Sequence, residues 1–293
     1  MTRLGCMKIR HSWMFALALC GCANSIAGGG EPDARRDAAV DADAPVDAGA
    51  PVDATDVLDG SDAPPAAEPP ILADYVNCPL SMFTSGVRPQ DFSSDVAVDA
   101  AWTTAWARPR ALGGALQFGP HPMTDAWWDN YSAATANERP GDVLVCARLR
   151  ITPEPMGDPN ANVFDMTVRL PAGAPFDTAG MVLGVHANMS TAVLTTRLTD
   201  STWVTHDSVP LPLVDGVTAT LDLLLYAQGD RFAAEVRDLD TARTVRLGAT
   251  YALPAGGGLS LVGWRMANGA FVDRLLVGAP SPEVAARLGH ALP

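Results

Sequence analysis

Asp142-Val143-Leu144-Val145-Cys146-Ala147-Arg148-Leu149-Arg150-Ile151 decides the fold class. Val143, Val145, Ala147, Leu149 and Ile151 alternate with Leu144, Cys146, Arg148 and Arg150. A two-residue period places the first set on one face of a strand and the second on the other. The same period runs through Thr220–Tyr226, where Leu221, Leu223 and Leu225 alternate with Asp222, Leu224 and Tyr226. It returns in Arg231–Arg237, where Phe232, Ala234 and Val236 alternate with Ala233 and Glu235. Gln228-Gly229-Asp230 between those runs is a hairpin turn. Further strands are expected at 101–107, 112–118, 126–132, 163–170, 179–186, 192–198, 202–207, 243–247, 258–264 and 269–277. Short strands at regular spacing, separated by Gly, Pro and Asp turns, predict an all-β sandwich of two antiparallel sheets. Only Ser281–Gly289 reads as helix, with a Ser cap, Pro at the first helical position and Gly as the stop.

Charge divides the chain into three blocks. The first 27 residues carry Arg3, Lys8 and Arg10 and no acid. A basic start followed by the apolar run Trp13–Leu19 is too short to span a bilayer and suits a secretory signal, with Met7 as an alternative start. The run ends in Leu19-Cys20-Gly21-Cys22, which resembles the bacterial lipobox. Gly21 before Cys22 fits the small residue required there, whereas Cys20 would follow bulky Leu19. The resemblance implies that Cys22 becomes the lipidated N-terminus, and several acyl chains hold a protein on a membrane stably. Ala23 rather than Asp at the next position points toward the outer membrane. Residues 28–70 hold nine Asp and two Glu against Arg35 and Arg36, and Ala44-Pro45-Val46-Asp47-Ala48 recurs as Ala50-Pro51-Val52-Asp53-Ala54. Such a segment has too little apolar surface to offset its ordering entropy. The expected organisation is a signal peptide at 1–21, a lipidated, disordered linker at 22–70 and one folded domain at 71–293. The linker reads equally as a spacer that lifts the domain off the membrane or as a neutral connection.

Within the domain, Gln90-Asp91-Phe92-Ser93-Ser94 precedes Ala101-Trp102-Thr103, and Gly113–Phe118 follows. Then come Pro140-Gly141-Asp142 leading into Val143–Ile151, Ala179–Leu183, Leu221–Tyr226, Gly229–Phe232 and Phe271–Val277. In this order they resemble the strands of concanavalin A-like lectin/glucanase (LamG-like) sandwiches. The resemblance implies a jelly roll that binds or cleaves polysaccharide or mediates adhesion, and fold alone does not select among these.

Composition excludes two classes. A net charge of −13 repels phosphate and excludes a nucleic-acid binder that relies on counterion release. The absence of a uniformly apolar stretch of about 20 residues excludes a polytopic membrane protein. Glycoside hydrolysis needs two carboxylates at a set separation. The Glu-x-Asp-x-x-Glu pattern of the glucanases that the domain resembles is absent, and Glu138, Glu154, Glu235 and Glu283 stand apart. Glu235 and Arg237 read as a charge pair on an exposed face. His121, His186 and His206 lack metal-ligand spacing and read as surface or turn residues.

Two clusters remain. Asp158, Asn160 and Asn162 offer oxygens at alternate positions of a loop, either a calcium site or a plain turn. Trp127-Trp128 with Tyr131, flanked by Asp125 and Asp129, is the candidate ligand site. Read as a strand, it would send one Trp into the core and the other outward as a stacking platform for a sugar. The competing reading packs both. Trp102, Trp106, Trp203 and Trp264 read as core or cross-strand residues. Cys6 and Cys20 would leave with the signal and Cys22 would carry lipid, so Cys78 and Cys146 form an even pair in an exported domain. They are expected to make a disulfide that staples the segment Tyr75–Leu80 to the non-core face of its strand. The function expected is a lipid-anchored, non-catalytic surface module that binds a polysaccharide or another surface polymer. The alternatives are a structural or adhesion protein that contacts other proteins, and a glycoside hydrolase-like enzyme with an atypical site.

Overall fold

The computed structural model describes residues 77–137, 141–154, 157–171, 180–198, 202–253 and 257–288. The expected signal peptide, Cys22 and the expected linker lie outside them. All described residues belong to one compact unit, Asp62–Pro293. Its strands are β1 (Phe83–Pro89), β2 (Trp102–Trp106), β3 (Arg110–Leu112), β4 (Ala115–Phe118), β5 (Tyr131–Ala136), β6 (Val143–Ile151), β7 (Val163–Leu170) and β8 (Met181–His186). They continue with β9 (Thr191–Arg197), β10 (Trp203–Pro210), β11 (Ala219–Gln228), β12 (Arg231–Asp238), β13 (Thr244–Thr250), β14 (Gly258–Trp264) and β15 (Ala270–Pro280). Two short helices, α1 (Asp95–Ala101) and α2 (Pro282–Leu288), accompany them.

The strands form the two antiparallel sheets that the alternation predicts. The eight-stranded sheet runs β13-β12-β11-β6-β15-β4-β3, with β1 also paired to β15. The seven-stranded sheet runs β10-β9-β8-β7-β14-β5-β2. Val143, Val145, Ala147, Leu149, Leu221, Leu223, Leu225, Phe232 and Val236 meet Phe164, Met166, Leu183, Leu194, Leu259 and Leu261 in the core between the sheets. Gln228 faces Arg231 across the expected hairpin, and Gly229 takes the left-handed backbone (φ 58°) that such a tight turn requires.

The eight-stranded sheet is also buried on its second face. Leu144, Cys146, Leu224, Tyr226, Ala233 and Leu276 pack against Cys78, Met82, Phe83, Val284 and Leu288. This is why Leu224 and Tyr226, on the off-core side of the period, are apolar. Each aliphatic residue removed from water here contributes about 1.5–3 kcal/mol. The Cys78–Cys146 disulfide, with its Cα atoms 6.4 Å apart, fixes the incoming segment to the middle of this layer. α2 closes over it through Ser281 N–H to Met82 O (2.8 Å) and Arg287 Nη1 to Asn77 O (2.6 Å).

The carboxylates under this cover are paired. Arg148 forks onto Asp222 through Nε (2.7 Å) and Nη2 (3.1 Å), and Asn77 Nδ2 donates to the same carboxylate. Glu235 is only 1% exposed. It accepts from Arg246 Nε (2.8 Å) and Arg287 Nη2 (2.6 Å), while Arg237 donates to Asn77 Oδ1. The expected exposed pair of Glu235 with Arg237 is therefore corrected: α2 buries Glu235 and supplies Arg287 as its partner.

Other local expectations also change. The expected strand 112–118 is a hairpin, with β3 and β4 joined at Gly113-Gly114, both left-handed (φ 61° and 82°). Asp95–Ala101 is a helix, capped by Ser94 Oγ accepting from Ala97 N–H (3.2 Å), so α2 has a companion. Residues 126–132 do not form one strand: Trp127–Asn130 is a 3-10 turn and β5 begins at Tyr131. Asn130 Nδ2 donates to Thr124 O and Ala126 O, and Asp129 N–H also turns back to Ala126 O. These local bonds compete with strand pairing and prevail.

Replacing both Cys78 and Cys146 by Ala releases a cross-link between residues 68 apart in sequence. Chain entropy then predicts a loss of about 4 kcal/mol, read by guanidinium denaturation under oxidising conditions.

Candidate functional site

Leu259 and Leu261 face the core between the sheets, so alternation turns Val262 and Trp264 to the outer face of the seven-stranded sheet. Tyr131 lies directly opposite Trp264 in the β5–β14 ladder. Their ring centroids are 4.0 Å apart, and Trp106 lies 5.2 Å from Tyr131 on the other side. All three rings are half-buried. Trp106 faces inward-pointing Ser132 in the ladder, but its left-handed backbone (φ 58°) takes it out of strict alternation and lets it reach Tyr131. Trp128, on the turn that leads into Tyr131, is 53% exposed. The side chain of Trp127 lies outside the described residues. Because the pair sits on a turn, the expected division of one Trp inward and one outward by strand alternation does not apply.

Loops hold this aromatic group in place. His121 is 5% exposed, not a surface histidine. Met266 N–H donates to His121 Nδ1 (3.0 Å), which places the ring proton on Nε2, within 2.9 Å of Ser132 Oγ. Burial lowers the His121 pKa to about 4, and protonation would also remove the acceptor for Met266 N–H. His186, half-buried on the outer face, is likewise lowered by burial.

Arg265 joins the two clusters that the sequence presents separately. Its N–H donates to Asn130 O (2.8 Å), beside the tryptophan turn. Its carbonyl accepts from Asn162 N–H (3.1 Å), and its guanidinium pairs with Asp158. Asn162 is fully buried, donates Nδ2 to Asn188 Oδ1 (3.0 Å) and accepts Ala267 N–H at Oδ1 (3.0 Å). Asp158 Oδ1 takes the N–H of exposed Asn160 (2.8 Å). The side-chain oxygens of Asp158 and Asn162 are thus engaged within the protein, one of them by an arginine, while Asn160 is exposed. Among the described residues, no three His, Cys, Asp or Glu side chains converge as a metal site. Asp129 Oδ2 accepts from Thr124 Oγ1 (3.1 Å), and Asp125 is exposed.

Seven described non-glycine residues have left-handed backbone, and five of them (Trp106, Met123, Asn162, Ser190 and Arg265) belong to this end of the sandwich. Such conformations cost about 1–3 kcal/mol each and persist where surrounding bonds impose them. The result is a braced rim that presents aromatic faces beside amides and carboxylates. The sequence singles out Trp128 and Tyr131 and reads Trp106 and Trp264 as core or cross-strand residues, and Trp264 is indeed the cross-strand neighbour of Tyr131. Sequence reading misses Arg265, whose signal is the turn Trp264-Arg265-Met266-Ala267-Asn268-Gly269 at a strand end. Trp102 is a core residue, with its indole N–H on Gln90 Oε1 (3.1 Å). Trp203 is 45% exposed on edge strand β10, with the Arg197 guanidinium 5.4 Å from its ring.

The buried imidazole makes stability depend on pH. Between pH about 6.5 and about 4 the unfolded chain protonates His121 while the folded protein keeps it neutral. Stability therefore falls as pH falls through that window, by up to about 1.4 kcal/mol per pH unit for this group. Urea denaturation at stepped pH should show the slope, and His121→Gln should reduce it, leaving the part that His186 and His206 contribute.

No protein-family model and no curated protein sequence matches the chain. Among solved structures, it is similar to peanut lectin with a nine-residue peptide, at 9% identity and TM-score 0.48, over 66% of this chain and 97% of that one. It is similar to a legume lectin-like domain from Entamoeba histolytica, at 10% identity and TM-score 0.46, over 64% and 93%. It is also similar to lectin I of Ulex europaeus in complex with the methyl glycoside of α-L-fucose, at 8% identity and TM-score 0.48, over 66% and 98%.

Proposed function

We propose that this protein is a lipid-anchored surface module that binds carbohydrate without cleaving it. The observation that carries the reading is the Trp106–Tyr131–Trp264 stack on the outer face of the seven-stranded sheet, continued by exposed Trp128. Aromatic faces pair with the apolar face of a sugar ring, and nearby polar groups fix its hydroxyls. The braced loops around them limit the ordering that binding would otherwise require. A binding role rather than hydrolysis is supported by the sequence, where the Glu-x-Asp-x-x-Glu pattern of the glucanases that the domain resembles does not occur. Cys22 in its lipobox-like context and the acidic linker support a tethered domain, held on the outer membrane and facing a polymer layer.

Affinity electrophoresis tests the binding reading. Residues 62–293 run through gels that contain a β-glucan, a xylan, a galactan or an α-mannan. One polymer should retard the domain, and Trp128→Ala and Trp264→Ala should each weaken retardation about tenfold while still melting cooperatively. Free migration in every polymer, or retardation indifferent to both substitutions, contradicts it. The anchor has its own test. Full-length protein should incorporate labelled palmitate and Cys22→Ala should not, and labelling that survives the substitution contradicts lipidation there.

A further inference from the structure

The far end of the sandwich holds a cavity of about 640 Å³, open between the sheets. Strands β2, β5 and β14 run from it to the aromatic rim. Trp102, Ala136 and Leu259 line the cavity, whereas Trp106, Tyr131 and Trp264 stand at the other ends of the same strands. The two places are therefore separate. The volume lies within the roughly 300–1,000 Å³ of small-molecule sites. A close-packed interior does not leave such space by default. Here it exists because α1 and the strand ends present Ala97, Ala101, Ala136 and Ala279, where larger residues would fill it.

One wall is irregular. The β1–β15 register breaks between Phe83 and Ser85 and again between Ser85 and Arg88, and Gly86 in the second break is left-handed (φ 68°). Bulges of this kind re-aim backbone groups and gather next to binding sites. The remaining lining sets the chemistry. Leu259, Val277 and the alanines are apolar, and Gln90 and Asn137 are neutral amides. The charged groups are of both signs, Arg88 against Asp91 and Asp142, and Asp142 is already paired with Arg169. An ion entering the apolar part would lose water without gaining a dedicated counter-charge, which is costly.

We propose that this cavity binds an uncharged small molecule with one apolar face, about the size of a three-ring compound, independently of the aromatic rim. The test uses residues 62–293 and the neutral dye N-phenyl-1-naphthylamine, whose fluorescence rises in apolar surroundings. Saturable enhancement at one dye per protein is expected. Ala136→Leu on β5 and Ala97→Leu on α1 each fill free space, so each should weaken dye binding at least tenfold without lowering the melting temperature. No saturable enhancement, enhancement unchanged in both variants, or a lowered melting temperature in both variants overturns the proposal.

Discussion

Leu144, Cys146, Leu224, Tyr226 and Leu276 form a second apolar layer behind the eight-stranded sheet, and Cys78–Phe83 and α2 meet over it. The rest of the domain depends on that cover. Without it, β6 and β11 would expose a broad apolar patch, the kind of surface that drives association. With it, the central strands are buried on both faces and the sheet becomes a rigid back for the sandwich. The disulfide makes the cover covalent at its centre, Glu235 satisfies Arg287, which the cover brings in, and Asp222 pairs with Arg148 of β6 and accepts from Asn77 of the cover. A buried charge left alone would cost more than the pair contributes, so these partners must be present together.

Cys78–Phe83 and α2 cover the middle of the second face of the eight-stranded sheet, while Arg150 and Arg246 toward its margins stay partly exposed. The seven-stranded sheet carries Tyr131 and Trp264 on its outer side, at the end where Arg265 ties three loops together. The bracing is backbone-rich: Asn130 O, Asn162 N–H and Met266 N–H are all engaged. Strain at Arg265 is held by those bonds, and Trp106 is followed by the bond from Ala107 N–H to Tyr131 O, which is how a loop region acquires the fixed geometry that stacking on a sugar would demand.

The fold class was legible because β6, β11 and β12 keep a strict two-residue period over their whole lengths. The disulfide was legible from the even pair of cysteines and from the off-core position of Cys146. Neither Glu235 nor the tryptophan pair could be placed that way. Alternation assigns a face, but it does not say whether another element covers that face, and Glu235 is buried by a helix fifty-odd residues away, near Arg287. Trp127-Trp128 sits in a run that looks extended until Asn130 turns its amide back on Thr124 and Ala126, a competition between side chain and ladder that periodicity does not register. α1 was missed although Ser94-Asp95 is a good cap, because seven residues are too few to show a helical period. The aromatic stack combines residues from β2, β5 and β14, which only the sheet order brings together.

Oxidative footprinting of the tryptophans tests the central claim most directly, because Trp203 provides an internal control. It is exposed like Trp128 but lies on β10, at the opposite edge of the same sheet from β2. With residues 62–293 exposed to hydroxyl radicals in the presence of a retarding polysaccharide, Trp106, Trp128 and Trp264 should be protected while Trp203 reacts as before. Protection confined to Trp203, or equal reactivity of all four with and without the polymer, would contradict the assignment of the site.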